Sequence, residues 1–260
     1  MIKLDFSSDY MEGAHPLIFE RLLKINDEKI PGYGKDKYTN DAKEKILNEC
    51  GMENGEVFFL AGGTQTNAVV ISALLKFSEA VIGADTAHIA THEAGAIEKT
   101  GHKVLTVPQK DGKIVLSELT AYLDTYFSDE NFEHKPVPAV LYISFPTEYG
   151  TIYTKDEISC LREICDKYSL KLYIDGARMG YGLAARGADI TLKDIASLSD
   201  VFYIGGTKVG ALFGEAVVFK DRELMPRFFT YIKSEGALLA KGWIPAVMFD
   251  VLFTDGLYYK

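Results

Sequence analysis

Seven short apolar runs mark the chain: EVFFLAGG (56–63), EAVIGAD (79–85), KVLTVP (103–108), PAVLYISF (138–145), KLYIDGA (171–177), VFYIGG (201–206) and EAVVFK (215–220). Most are continuous rather than alternating, the pattern of strands buried on both faces. Between them the period lengthens. In TKDEISCLREICDKY (154–168), Ile158, Leu161, Ile164, Cys165 and Tyr168 share one helical face, and Thr154 with Glu157 forms a capping box at its start. QTNAVVISALLKF (65–77) predicts a second helix, opened by GGT. The alternation predicts an α/β fold: three layers, α/β/α, around a mostly parallel seven-stranded sheet. The connection GTKVGALFG between the last two runs is too short for a helical crossover, so this pair is expected to be antiparallel.

Parallel sheets of this kind bind ligands at the carboxyl ends of their strands. Three unusual stretches fall there: AGGTQTN, IDGAR and GGTKVG. In the first, Gly62 and Gly63 permit a sharp turn, and Thr64, Gln65 and Thr66 open a helix whose free amides suit a phosphate; a plain strand–helix turn reads the same way. In the second, Asp175 ends a hydrophobic strand, where a carboxylate is costly unless a cation or donor meets it; a helix cap or loop carboxylate is the bland alternative. Arg178 adds a cation nearby. In the third, Lys208 sits among glycines at a strand end, where partial desolvation makes an amine nucleophilic toward carbonyls; alone it is also a surface lysine. Together, a phosphate cup, an acid for a cationic ring nitrogen and an imine-forming lysine are the parts that pyridoxal phosphate chemistry requires. His88, just past another strand end in GADTAHIATHEAGAIE, suits stacking on a pyridine ring, whereas His92 reads as peripheral and Glu93 as a helix-dipole partner.

The length of 260 residues suits one large domain, and 47% apolar with 25% charged residues is ordinary for a globular protein. A net charge of −9 argues against a general nucleic-acid binder. No apolar run approaches the roughly 20 residues that span a bilayer, and the N-terminal MIKLDFSSDYMEG lacks a signal-peptide core. Cys50, Cys160 and Cys165 have no metal-ligand spacing, so no metal is expected, and Cys160 and Cys165 read as small core residues. A cytoplasmic setting fits this usage.

The ordered set FSSD, PGYGKDKYTND, AGGTQTN, ADTAHIATHEAGAIE, YIDGARMG and GGTKVG resembles the threonine aldolase group of the aromatic amino-acid β-eliminating lyases, which are fold-type-I pyridoxal 5′-phosphate enzymes, across nearly the whole chain. The resemblance implies a homodimer or homotetramer that cleaves a β-hydroxy-α-amino acid into glycine and an aldehyde. It implies that Lys208 carries the cofactor, Asp175 meets the pyridine nitrogen, Arg178 contacts the ring near its phenolic oxygen, and His88 stacks on the ring and joins the acid–base work. Gly63, Thr64 and Gln65 would take the phosphate. Ser8 matches a serine near the substrate carboxylate, Tyr33 a tyrosine that reaches across a dimer interface, and Lys241 a basic residue that approaches a neighbouring subunit's phosphate. Glu148, in FPTEYGTIY, stands where many threonine aldolases carry a catalytic histidine. Residues 1–260 are expected to form the cofactor-binding large domain, with residues 1–40 as an N-terminal arm and interface segment. The family's small C-terminal domain is expected to be missing after FTDGLYYK, and with it the arginine for the substrate carboxylate. Competing expectations are another β-eliminating lyase, a cofactor-binding but inactive truncated relative, and a mononucleotide-binding α/β protein; the last leaves Asp175, Lys208 and His88 together unexplained.

Overall fold

The structure, a computed structural model, describes residues 5–260; residues 1–4 of the expected N-terminal arm lie outside the described residues. Its strands are β1 (Glu56–Leu60), β2 (Glu79–Ala84), β3 (Lys103–Val107), β4 (Gln109–Lys110), β5 (Lys113–Ile114), β6 (Val137–Ser144), β7 (Lys171–Asp175), β8 (Val201–Gly205) and β9 (Glu215–Phe219). All seven apolar runs become strands of one sheet, in the order β1-β9-β8-β7-β6-β2-β3, while β4 and β5 form a separate hairpin. Strand β9 is antiparallel to both of its neighbours and the other pairings are parallel, so the short GTKVGALFG connection does reverse the chain. β1 and β8 therefore run in the same direction, and the carboxyl ends of β1, β2, β6, β7 and β8 open on one edge of the sheet.

Neighbouring residues of a strand point to opposite faces. Phe58 packs edge-on against Phe228 of the helix Phe228–Ser234, and Phe59 against Phe249 of the helix Trp243–Leu252. Helices thus cover both faces, as the continuous apolar strands require. β8 and β9 are buried at every position. The helix Lys155–Tyr168 starts with the predicted capping box: Thr154 accepts from the Glu157 amide, and the Glu157 carboxylate accepts from the Thr154 amide. Cys165 is buried in the core, but Cys160 is exposed, contrary to its reading as a core residue, because it points away from the face set by Ile158, Leu161 and Cys165. The second predicted helix runs Gly63–Leu74, two residues earlier at its start and three at its end than the expected 65–77; its first turn is built by glycine, threonine and glutamine rather than by apolar side chains. Within the expected arm, the helix Pro16–Ile25 buries Ile18 and Ile25 and packs on Trp243–Leu252. No helix among the described residues is long and apolar enough to cross a membrane.

Candidate active site

At that shared edge lies a cavity of about 220 Å³, lined by residues of β6, β7, β8 and β9 and of the segments that follow β1 and β2. Its lining includes Gly63, Thr64, His88, Glu148, Asp175, Arg178 and Lys208, which the sequence singles out from stretches up to 145 positions apart (Gly63 to Lys208). A larger open depression of about 650 Å³ lies away from the strand ends; its Lys45 pairs with Asp250 at 2.5 Å and its Arg21 approaches the same carboxylate.

The helix Gly63–Leu74 aims its N-terminus at the cavity. Its first amides have no intrahelical partner, and Gly62 supplies no side-chain cap. Gly63 keeps this end open: a Cβ there would lie 3.2 Å from the Tyr203 hydroxyl. Gln65 does not line the cavity; its Oε1 accepts from the Ala61 amide at 3.3 Å, which holds the turn, so Gln65 can offer its backbone amide rather than its side chain.

Asp175 is buried, and three donors converge on its carboxyl. Oδ1 accepts from the Ala177 amide at 3.0 Å; Oδ2 accepts from Asn67 Nδ2 at 2.9 Å and from the Tyr142 hydroxyl at 2.6 Å. Such donors compensate the burial of a charge. Gly176 must follow, because a Cβ there would fall 2.0 Å from the Tyr203 carbonyl oxygen. The network continues through Asn67, whose Oδ1 accepts from Tyr173 at 2.8 Å and whose Nδ2 also reaches Glu93 at 2.7 Å.

Glu93 differs from its sequence reading as a helix-dipole partner. No helix starts there; its side chain is fully buried, and its Oε1 lies 2.9 Å from His88 Nδ1. The Glu93 bond is the main cause that raises the His88 pKa above its ordinary 6.5; burial opposes it, and the charge of Asp175 adds to it. The share of stability from this pair is therefore present below pH 6.5 and is lost as pH rises through the raised value. Glu93→Gln is expected to move the His88 titration, followed by the imidazole proton resonances, down toward 6.5; an unmoved titration would contradict this coupling. His92 is exposed and stacks on the His88 ring, 5.7 Å between centroids, which agrees with a peripheral place.

Glu148 holds the other side of His88. Its Oε1 accepts from the His88 amide at 2.8 Å and from the Ser144 hydroxyl at 2.6 Å, whereas its Oε2 takes no donor among the described residues. Arg178 is gripped by Asp9, with Nη2 donating to Oδ1 at 3.3 Å and a second bond from Nε. Burial works to raise the Asp9 carboxyl, but Arg178 and the nearby Lys208 outweigh it and hold it below the ordinary range. Asp9 was missed by sequence reasoning. Its neighbour Ser8 is outside the cavity lining, with a buried hydroxyl that has no partner among the described residues. Lys208 forms no ion pair among the described residues; its Nζ lies 6.0 Å from the Tyr10 ring centroid. Tyr33 lies in a separate cavity with Phe58, Phe59 and Phe229. Its amide donates to the Ala240 carbonyl at 3.0 Å, so Tyr33 and Lys241 occupy adjoining loops.

The family model for beta-eliminating lyases matches residues 5–255. The chain belongs to the beta-eliminating lyase family. The low-specificity L-threonine aldolase of a Pseudomonas species is 32% identical over 98% of this chain, and the match spans 73% of that protein. The solved structure of Leishmania major threonine aldolase superposes with a TM-score of 0.93 at 41% identity, covering 97% of this chain and 72% of that one. Cystalysin from Treponema denticola, a structure that contains pyridoxal 5′-phosphate, shares the fold at 18% identity and a TM-score of 0.73. The sheet order and the single antiparallel strand are therefore those of the fold-type-I enzymes to which this beta-eliminating lyase family member is similar.

Proposed function

We propose that the chain is a pyridoxal 5′-phosphate-dependent aldehyde-lyase of the threonine aldolase type, cleaving L-threonine, L-allo-threonine or a related β-hydroxy-α-amino acid into glycine and an aldehyde. The carrying observation is the meeting, in one cavity, of an unpaired lysine, a buried multiply bonded aspartate and an uncapped helix N-terminus kept open by Gly63. These residues fit the cofactor: the amine its aldehyde, the carboxyl its ring nitrogen, and the amides its phosphate.

When bound, pyridoxal phosphate supplies the sink for the electrons of the breaking Cα–Cβ bond. Lys208 would hold the cofactor through its amine. Asp175 sustains positive charge at the ring nitrogen. Arg178, fixed by Asp9, supplies a cation on the same ligand. The amides of Gly63, Thr64 and Gln65 receive the phosphate. His88, steadied by Glu93 below and Glu148 at its amide, offers its ring face. Glu148 Oε2, the oxygen without a donor, accepts the β-hydroxyl proton. As that proton passes to Glu148, the aldehyde carbonyl forms and the Cα–Cβ bond breaks; a proton gained at Cα completes glycine, and Glu148 gives up the one it took, so that the count of protons is unchanged. Glu148 thus takes the part of the histidine that many threonine aldolases carry.

Glu148→Gln is expected to lower turnover by about 10²–10⁴-fold with cofactor binding retained, measured by steady-state rate and cofactor absorbance. A rate near wild type would remove Glu148 as the base. Borohydride treatment of the loaded protein followed by peptide mapping tests the attachment: label on the Lys208 peptide is expected, and label elsewhere would overturn it.

Residues 1–260 are assigned to the cofactor-binding large domain. Ser8 is assigned to the substrate carboxylate. Tyr33 and Lys241, on adjoining loops, are assigned to a neighbouring subunit's site in a homodimer or homotetramer, and the protein to the cytoplasm. A monomeric mass in light scattering of the loaded protein would remove the cross-subunit roles.

A further inference from the structure

Glu215 is a buried carboxyl that the reaction outlined above does not use. It opens β9, in register with Gly205 on one side and Leu60 on the other, so it stands between the lysine turn and the anion-binding turn. It is 3% exposed, yet it contributes to the wall of the cavity that holds Lys208. Its Oε1 lies 2.8 Å from the Thr207 hydroxyl, and its Oε2 accepts from the Gly206 amide at 3.2 Å. The Thr207 hydroxyl in turn accepts from the Gly214 amide at 3.0 Å. These three bonds staple the start of β9 to the two residues that precede Lys208. Among the described residues no cation pairs with Glu215. A carboxyl buried this deeply without a cation is favoured in its neutral form.

We propose that Glu215 is an uncharged positioning residue: as a carboxylic acid, its proton held in the contact between Oε1 and the Thr207 hydroxyl, it braces the Thr207–Lys208 turn, leaving the lysine amine without an ion-pair partner in this wall and the wall at 61–64 without a repelling charge. The proposal deepens, and in its second half rests on, the reading of Lys208 as the attachment lysine. An ionised carboxylate here would compete for the amine as an ion-pair partner and hold it against the wall instead of leaving it free to meet a carbonyl. It would also oppose an anion at the amides of Gly63 and Thr64.

The surrounding groups agree. Burial pushes the Glu215 carboxyl up to about 8, against the contacts with Thr207 and Gly206; the charge of Asp175 on β7 adds to the rise, and Lys208 opposes it. Tyr203 on β8, Tyr173 on β7 and Tyr258 also feel Glu215, but burial holds all three far above their ordinary value, so they stay neutral. Because the folded value lies above the ordinary 4.5, the contribution of this group to stability is largest below pH 4.5 and is lost as pH rises through about 8.

The test compares wild type, Glu215→Gln and Glu215→Ala in two measurements: melting temperature of the apoprotein across that pH window, and pyridoxal phosphate affinity at neutral and alkaline pH. His88 titrates in all three proteins, so differences between them report Glu215. Wild type is expected to lose melting temperature and at least about tenfold in cofactor affinity through the titration, and Glu215→Gln to show a shallower loss of both. Glu215→Ala is expected to bind cofactor about tenfold more weakly than Glu215→Gln even at neutral pH, because the brace is gone. A Glu215→Gln profile parallel to wild type, or a neutral-pH affinity as poor as that of Glu215→Ala, would overturn the proposal. The apoprotein melting profile does not involve Lys208 chemistry, so failure of the attachment reading, seen as no borohydride label on Lys208, is distinguishable from failure of this one.

Discussion

Lys208→Ala is expected to cut turnover by about four orders of magnitude or more, and to abolish borohydride-stable attachment of the cofactor. The size follows from the role. The amine is the chain's covalent link to the cofactor, and among the cavity-lining residues Lys208 is the one lysine. The loss belongs to chemistry rather than folding, because the side chain makes no ion pair among the described residues whose removal would strand a charge. The variant should therefore melt within a few degrees of wild-type apoprotein. Retained turnover would remove Lys208 from the mechanism. Loss of turnover with loss of fold would make it a structural residue instead.

Asp175 carries the second largest effect, and two substitutions separate its two functions. Asp175→Asn keeps the shape and most of the hydrogen bonds but removes the charge. It is expected to slow turnover by about 10²–10³-fold, in line with losing one preorganised electrostatic contact at a developing charge. Asp175→Ala also leaves the buried Tyr142 hydroxyl without its acceptor and takes from the buried Asn67 amide one of its two, Glu93 remaining. A stranded group costs about 1–3 kcal/mol, so this variant should also show a lowered denaturant midpoint. Equal stability of the two variants would mean that the network around Asp175 relaxes without cost.

Much of this was legible in the sequence because it is local. The apolar runs gave all seven strands, and the length of GTKVGALFG set the sense of the last pair. Strand ends that carry Gly-Gly, Asp-Gly and Gly-Gly-Thr-Lys pointed at one edge, and the parallel topology brought them together. What stayed hidden depends on contacts between distant segments. Glu93 looks like a helix-start carboxylate until the fold brings it beside Asn67 of the helix Gly63–Leu74 and His88 after β2. Asp9 closes the FSSD landmark, but nothing local points to its partner Arg178, 169 positions away. Glu215 reads as the polar first residue of a strand; only the register with Gly205 and Leu60 buries it in the cavity wall. Gln65 shows the converse: the motif is right, but the side chain turns back to its own backbone. Cys160 was misread because one helical segment carries both a buried and an exposed cysteine, and a five-residue spacing does not keep two residues on one face.

The most direct test of the account is to supply the protein with pyridoxal phosphate and L-allo-threonine and identify the products. Equal amounts of glycine and acetaldehyde, without ammonia, are predicted. A 2-oxo acid with ammonia would contradict carbon–carbon cleavage and establish elimination in its place.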